Sequence, residues 1–114
     1  MLYAERPGDP EIEILTPADI GDAYLADSTV SLVCRSRDPS PDTRLVWYQG
    51  ASPIDQTYSI QGEYVVNEIN VTLPARHELG LTCRFDYDPT GYTASANTII
   101  PIIGNHSAQH LTNF

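Results

Sequence analysis

Two cysteines and the one tryptophan of this chain fall on the inward register of three alternating segments. In Thr29-Val30-Ser31-Leu32-Val33-Cys34, Val30, Leu32 and Cys34 share a face, because successive side chains of a strand point to opposite sides. Leu45-Val46-Trp47-Tyr48-Gln49 puts Leu45, Trp47 and Gln49 on one side, and Leu81-Thr82-Cys83-Arg84-Phe85 does the same with Leu81, Cys83 and Phe85. Trp47 follows the first cysteine by 13 positions, and 48 residues lie between the cysteines. Three strands aiming such side chains at a common interior demand a layered β-structure. The pattern alone also admits two independent buried thiols and a core tryptophan in some other β-fold.

The rest of the chain agrees with short strands. Nine Pro and seven Gly are spread along its length and leave no room for a major helix. Glu11-Ile12-Glu13-Ile14 alternates, as does Ile69-Asn70-Val71-Thr72-Leu73, which Pro74 stops. Between them lie a loop of turn residues, Ser36 to Asp42, and a weaker stretch with Ile54, Tyr58 and Ile60. Asp86 to Gly91 forms another turn cluster, and Ala94 to Ile103 reads as the last strand. Half-buried strands at this spacing predict an all-β antiparallel sandwich or barrel, with Leu32, Leu45, Trp47, Val71, Leu73 and Leu81 in its core. No internal repeat is present.

Cys34-Arg35-Ser36-Arg37, Leu45-Val46-Trp47-Tyr48 and Leu81-Thr82-Cys83 together resemble the immunoglobulin superfamily. The wording is similar to the second immunoglobulin domains of nectin-like, nephrin-like and related adhesion or costimulatory receptors. The resemblance covers residues 11–103. It implies a Greek-key sandwich of about seven antiparallel strands, pinned by one Cys34–Cys83 disulfide between the sheets with the Trp47 indole against it. The cysteine spacing is short for the variable type, so a constant-like or intermediate-set domain is implied. One departure stands out: Leu81 occupies the place where such domains carry a tyrosine two residues before the second cysteine. No tyrosine corner is possible, and the turn before that strand must be held otherwise. Residues 1–10 are expected to be an N-terminal linker and residues 104–114 a C-terminal tail or linker.

Charge and topogenic signals remove several classes of function. The chain carries 15 Asp or Glu against six Arg and no Lys, a formal net charge of −9. Such a chain repels phosphate, which excludes nucleic acid and an anionic membrane surface as partners. The longest apolar run, around Ile99 to Ile103, is far short of a membrane span, so no direct membrane insertion is expected in this segment. Met1 to Ala4 followed by Glu5 and Arg6 does not read as a signal peptide; the expectation is a piece of a longer polypeptide.

A disulfide implies an oxidising compartment; the competing reading is an intracellular immunoglobulin domain with reduced cysteines. Two sequons, Asn70-Val71-Thr72 and Asn105-His106-Ser107, favour the extracellular side, as a secreted protein or the ectodomain of a membrane protein. Asn70 is the more informative, since its register turns it to solvent. No catalytic residues, cofactor or metal site are expected. His77, His106 and His110 sit in a turn and the tail, both cysteines belong to the core, and Asp86 with Asp88 supplies too few oxygens for calcium.

Binding to protein remains. If Trp47 points inward, Val46 and Tyr48 project from the outer face of its sheet, beside Arg84, while Tyr87 and Tyr92 flank the last turn. Aromatic residues and Arg are enriched at interface hot spots, so these five form a candidate patch on the sheet opposite Asn70. The resemblance implies a cell-surface receptor module that binds another immunoglobulin-like domain in cis or trans, or spaces its neighbours. The alternative is a domain of a soluble or diversified innate immune-recognition molecule that binds foreign ligands.

Overall fold

A computed structural model describes residues 9–37 and 42–104. Nine strands follow in order: β1 (Glu11–Ile14), β2 (Tyr24–Leu25), β3 (Thr29–Arg37), β4 (Thr43–Gln49), β5 (Ser52–Asp55), β6 (Ser59–Gln61), β7 (Tyr64–Thr72), β8 (Glu78–Tyr87) and β9 (Tyr92–Ile103). They form two sheets, β1-β3-β7-β6 and β2-β9-β8-β4-β5. The described residues contain no helix, and thus none able to cross a membrane.

Cys34 and Cys83 are bonded across the two sheets, with Cα atoms 6.4 Å apart. Trp47 lies directly opposite Cys83 in the β4–β8 ladder and is fully buried. Val30, Leu32, Leu45, Leu73, Phe85 and Ile100 complete a single core with Leu81. All-β architecture, two sheets and the inter-sheet bond therefore match the expectation, with short edge strands bringing the number to nine. The pair β2–β9 is parallel, with Tyr24 beside Ile102 and Leu25 beside Ile103.

The three strands absent from the sequence reading are all edge strands, where the apolar alternation is weakest. β6 is exposed throughout, β2 has two residues, and β5 carries Pro53, which an edge tolerates because its outer side has no ladder to complete. β7 starts five residues before the expected Ile69. Its inward register there is Val65, Asn67, Ile69, and the polar Asn67 interrupts the alternation that marks a strand.

Asn67 is 1% exposed and spans the sandwich. Its Nδ2 donates to the Leu45 carbonyl at 2.9 Å and the Asp55 carbonyl at 3.3 Å, while its own carbonyl accepts the Trp47 Nε1–H at 2.9 Å. A buried amide is tolerated because its donors are satisfied by carbonyls of the opposite sheet. Its Oδ1 has no partner among the described residues.

Three expectations need correction. Gln49 keeps the inward register of Trp47 but is exposed, because it ends β4 and stands at the rim of a groove with Ile54 and Ile69; the irregularity between Trp47 and Tyr48 skips Ile54 on β5 and leaves the β4–β8 ladder unbroken. Val71 keeps the inward register but is only half-buried. Beyond Val66 no strand among the described residues covers the outer side of β7, and Val71 lines the resulting groove of about 440 Å3 with Ile54, Asp55 and Ile69. Val46 is the third and belongs to the site below. The turn before β8, which lacks the tyrosine, is held by the backbone: Arg76 N–H donates to Pro74 O and Ile102 N–H to His77 O, both at 2.9 Å.

Candidate functional site

The outer face of the five-stranded sheet is set by the ladders flanking β8. Arg84 lies between Val46 on β4 and Ser95 on β9, Thr82 between Tyr48 and Asn97, and Asp86 between Arg44 and Thr93. Because side chains alternate, these residues share one side while Trp47, Cys83 and Phe85 occupy the other. The centre of the face is an arginine laid on a tyrosine. The Arg84 guanidinium carbon is 4.9 Å from the Tyr48 ring centroid, an attraction between the cation and the ring face.

Asp86 fixes that arginine from the other side, its carboxylate 3.1 Å from Arg84 Nε. Clamped through Nε and one face, Arg84 has no hydrogen bond at its two terminal nitrogens among the described residues. Those nitrogens form a planar fork suited to a carboxylate.

Val46 shares this face but is 5% exposed. Arg84 is its direct cross-strand neighbour, and an arginine stem is long enough to cover a valine there. Val46 therefore supports the patch from beneath and offers a partner little surface. Tyr87 and Tyr92 pair with each other at the end of the β8–β9 ladder and are half-buried against the core. Tyr92 packs edge-on against Phe85, centroids 6.3 Å apart, and its hydroxyl donates to Asp9 Oδ1 at 3.1 Å. A depression of about 300 Å3 joins the two tyrosines to Arg84, Arg44, Asp86 and Asp88.

The two loop carboxylates are both engaged by arginine. Asp86 holds Arg84, and Asp88 accepts from Arg44 at 2.8 Å. That hydrogen bond, with the negative charges around it, raises the Arg44 pKa above its ordinary value. Among the described residues no three His, Cys, Asp or Glu side chains gather closely enough to hold a metal ion.

Asn70 stands exposed on the outer face of the other sheet, on the far side of the sandwich from Tyr48 and Arg84. Its Oδ1 accepts from Ser31 Oγ, and Nδ2, the atom a glycan would take, has no hydrogen bond among the described residues. Thr72 of the same sequon is also exposed. The second candidate, Asn105, lies outside the described residues, as do His106, His110, Pro39, Pro41 and residues 1–8.

Two features escaped the sequence reading. Asn67 is the first. The second is a smaller stack on the four-stranded sheet, Arg37 over Tyr64 at 5.7 Å with Nη2 3.4 Å from the hydroxyl. Beside it Arg35 pairs with Glu13 at 3.1 Å. The outward register of Arg35 and Arg37 was legible; Tyr64, the partner of Arg37, was hidden because its strand was not recognised that far upstream.

No protein-family model matches the chain, and no curated protein sequence matches it. Among solved structures it is similar to the full ectodomain, Ig1–Ig3, of mouse nectin-like molecule 4, with a TM-score of 0.66 at 14% identity. The match covers 86% of this chain and 34% of that one, so the chain spans about a third of that ectodomain. At such identity the likeness establishes an immunoglobulin-like fold.

Proposed function

We propose that this immunoglobulin-like sandwich is an extracellular recognition or adhesion module that binds a protein partner through the exposed face of its five-stranded sheet. The observation that carries the reading is the Tyr48–Arg84 stack clamped by Asp86. A flexible arginine loses side-chain entropy when a partner immobilises it. Held beforehand, Arg84 presents its fork with much of that cost already met by the fold, next to the residue types that dominate interface energetics.

The disulfide supports an oxidising compartment. A glycan at Asn70 would occupy the opposite sheet and leave the binding face open. With net charge −9 the domain suits a partner of neutral or basic surface, and a carboxylate within that surface would meet Arg84. A second immunoglobulin-like domain fits this description. Residues 1–10 and 104–114 then connect the module to its neighbours.

The test is to display the domain as a tetramer and measure its binding to cells. Arg84→Ala and Tyr48→Ala are each expected to lower binding at least tenfold while Trp47 fluorescence and the melting temperature hold. Equal binding by the wild type and both variants would remove this face from the function.

A further inference from the structure

Residues 89–105 contain no Asp, Glu, Lys or Arg, in a chain whose net charge is −9. This neutral stretch includes all of β9, which forms a long edge. On one side β9 pairs with β8 from Tyr92 to Pro101. On the other side β2 meets it only at Ile102 and Ile103.

Which backbone groups face outward follows from the ladder phase. Ile102 N–H donates to His77 O across the β8 side. In an antiparallel pair such residues alternate with residues whose N–H and C=O point away. Thr93, Ser95, Asn97 and Ile99 therefore turn both groups to the open edge. Pro101 falls on the same phase, where its missing N–H costs the β8 ladder nothing. No described residue bonds the outward groups of these four. Their side chains are exposed, Ile99 at 60%. β9 has no bulge, lysine or central proline, the usual protections of an edge.

We propose that β9 is a strand-addition edge through which two copies of this chain pair antiparallel about a two-fold axis at Ala96. The register Thr93 to Ile99 and Ser95 to Asn97 engages all four outward residues of each copy. Each pair exchanges two backbone hydrogen bonds, joining the two five-stranded sheets into one continuous sheet. Ile99 of each copy is covered by Thr93 of the other, and the small Ser95 and Asn97 meet at the centre.

Charge selects a second copy as the occupant. Two chains of −9 repel over most of their surfaces, whereas the paired span of β9 carries no charged side chain, the Asp9 carboxylate lying beyond it at the Tyr92 hydroxyl. The closest ladder carboxylates, Glu78 and Asp86 on β8, are three strand spacings from the opposite β8, about 14 Å. That exceeds the Debye length of ~8 Å at physiological salt. An edge of this length buries less than the ~1,200 Å2 of a standard interface, so the dimer belongs to the weak, concentration-dependent class.

The experiment is sedimentation equilibrium on the full chain with its disulfide intact, from about 10 μM to 1 mM, the weak range implied by the interface size. The average mass should climb from 12.6 kDa toward twice that value. The rise should be steeper at high salt, where the long-range repulsion is screened. Ser95→Pro removes an outward N–H that the monomer does not use, and Asn97→Lys puts two ammonium groups beside the axis. Each should raise the dimer dissociation constant at least tenfold with unchanged Trp47 emission, and Asn97→Lys keeps the test open if the proline variant does not fold. Tyr48→Ala should leave the dimer intact, which separates this edge from the proposed partner face. A wild type monomeric throughout, a dimer that survives both edge variants, or one lost with Tyr48→Ala would each overturn the proposal.

Discussion

Asn67 offers a stringent test of how the two sheets are tied, through the isosteric change Asn67→Asp. The amide donates to two carbonyl oxygens, of Leu45 and Asp55, from a site that is 1% exposed. A carboxylate there has no proton to donate and places its charge against both oxygens, so burial and hydrogen bonding act together to favour the neutral acid. Fully buried carboxyls are raised by up to ~3–5 pH units, and each unit is worth ~1.4 kcal/mol.

The sign follows from linkage. Below the unfolded pKa, ~3.9, the new carboxyl is protonated in both states, and its proton can still serve Leu45. As pH rises past that value the unfolded state releases the proton while the folded state keeps it, so stability falls. The loss grows until the raised folded pKa is passed, reaching about 4–7 kcal/mol, comparable with the whole stability of many domains.

Urea unfolding of wild type and variant from pH 4 to 8 reads this directly, through the emission of the one tryptophan, Trp47, which is bonded to the backbone of residue 67. The wild-type curve subtracts the pH dependence of all other groups. A difference that stays within about 0.5 kcal/mol over the range, the size of an ordinary surface substitution, would refute the inter-sheet clamp.

Other consequences are simpler to measure. Replacing both Cys34 and Cys83 by Ala opens a loop whose ends are 49 positions apart, which on the chain-entropy relation costs about 4 kcal/mol, read as a lowered urea midpoint. Expressed through a secretory pathway, the domain should carry a glycan at Asn70; the mass shift on enzymatic deglycosylation should decrease by one glycan in Thr72→Ala, and an unchanged shift would exclude that site.

The legible parts of the sequence were those where a single periodicity runs unbroken. β3, β4 and β8 announce themselves because Val30-Leu32-Cys34, Leu45-Trp47 and Leu81-Cys83-Phe85 repeat every second residue and bury one face. The outward register of Tyr48, Arg84 and Asn70 came from the same rule. Val46 obeyed the rule and still misled, since alternation assigns a side of the sheet and says nothing about what neighbouring side chains cover. Tyr64 and the start of β7 were lost behind Asn67, whose polarity is acceptable only because carbonyls from β4 and β5 happen to converge on it.

Local alternation, turn residues and charge balance therefore determined the all-β class, the inward pair of cysteines, the face that carries Tyr48 and Arg84, and the poor fit to nucleic acid. These depend on neighbours one or two positions apart. The tertiary structure alone decided that Arg84 rests on Tyr48 and is gripped by Asp86, that Val46 is shielded, and that Asn67 bridges the sheets. It alone left Thr93 to Ile99 of β9 without a pairing strand among the described residues, because β2 pairs with only the last two residues of β9. Each of these outcomes depends on segments distant in sequence meeting at a particular register, and register is set by the packing of the whole sandwich.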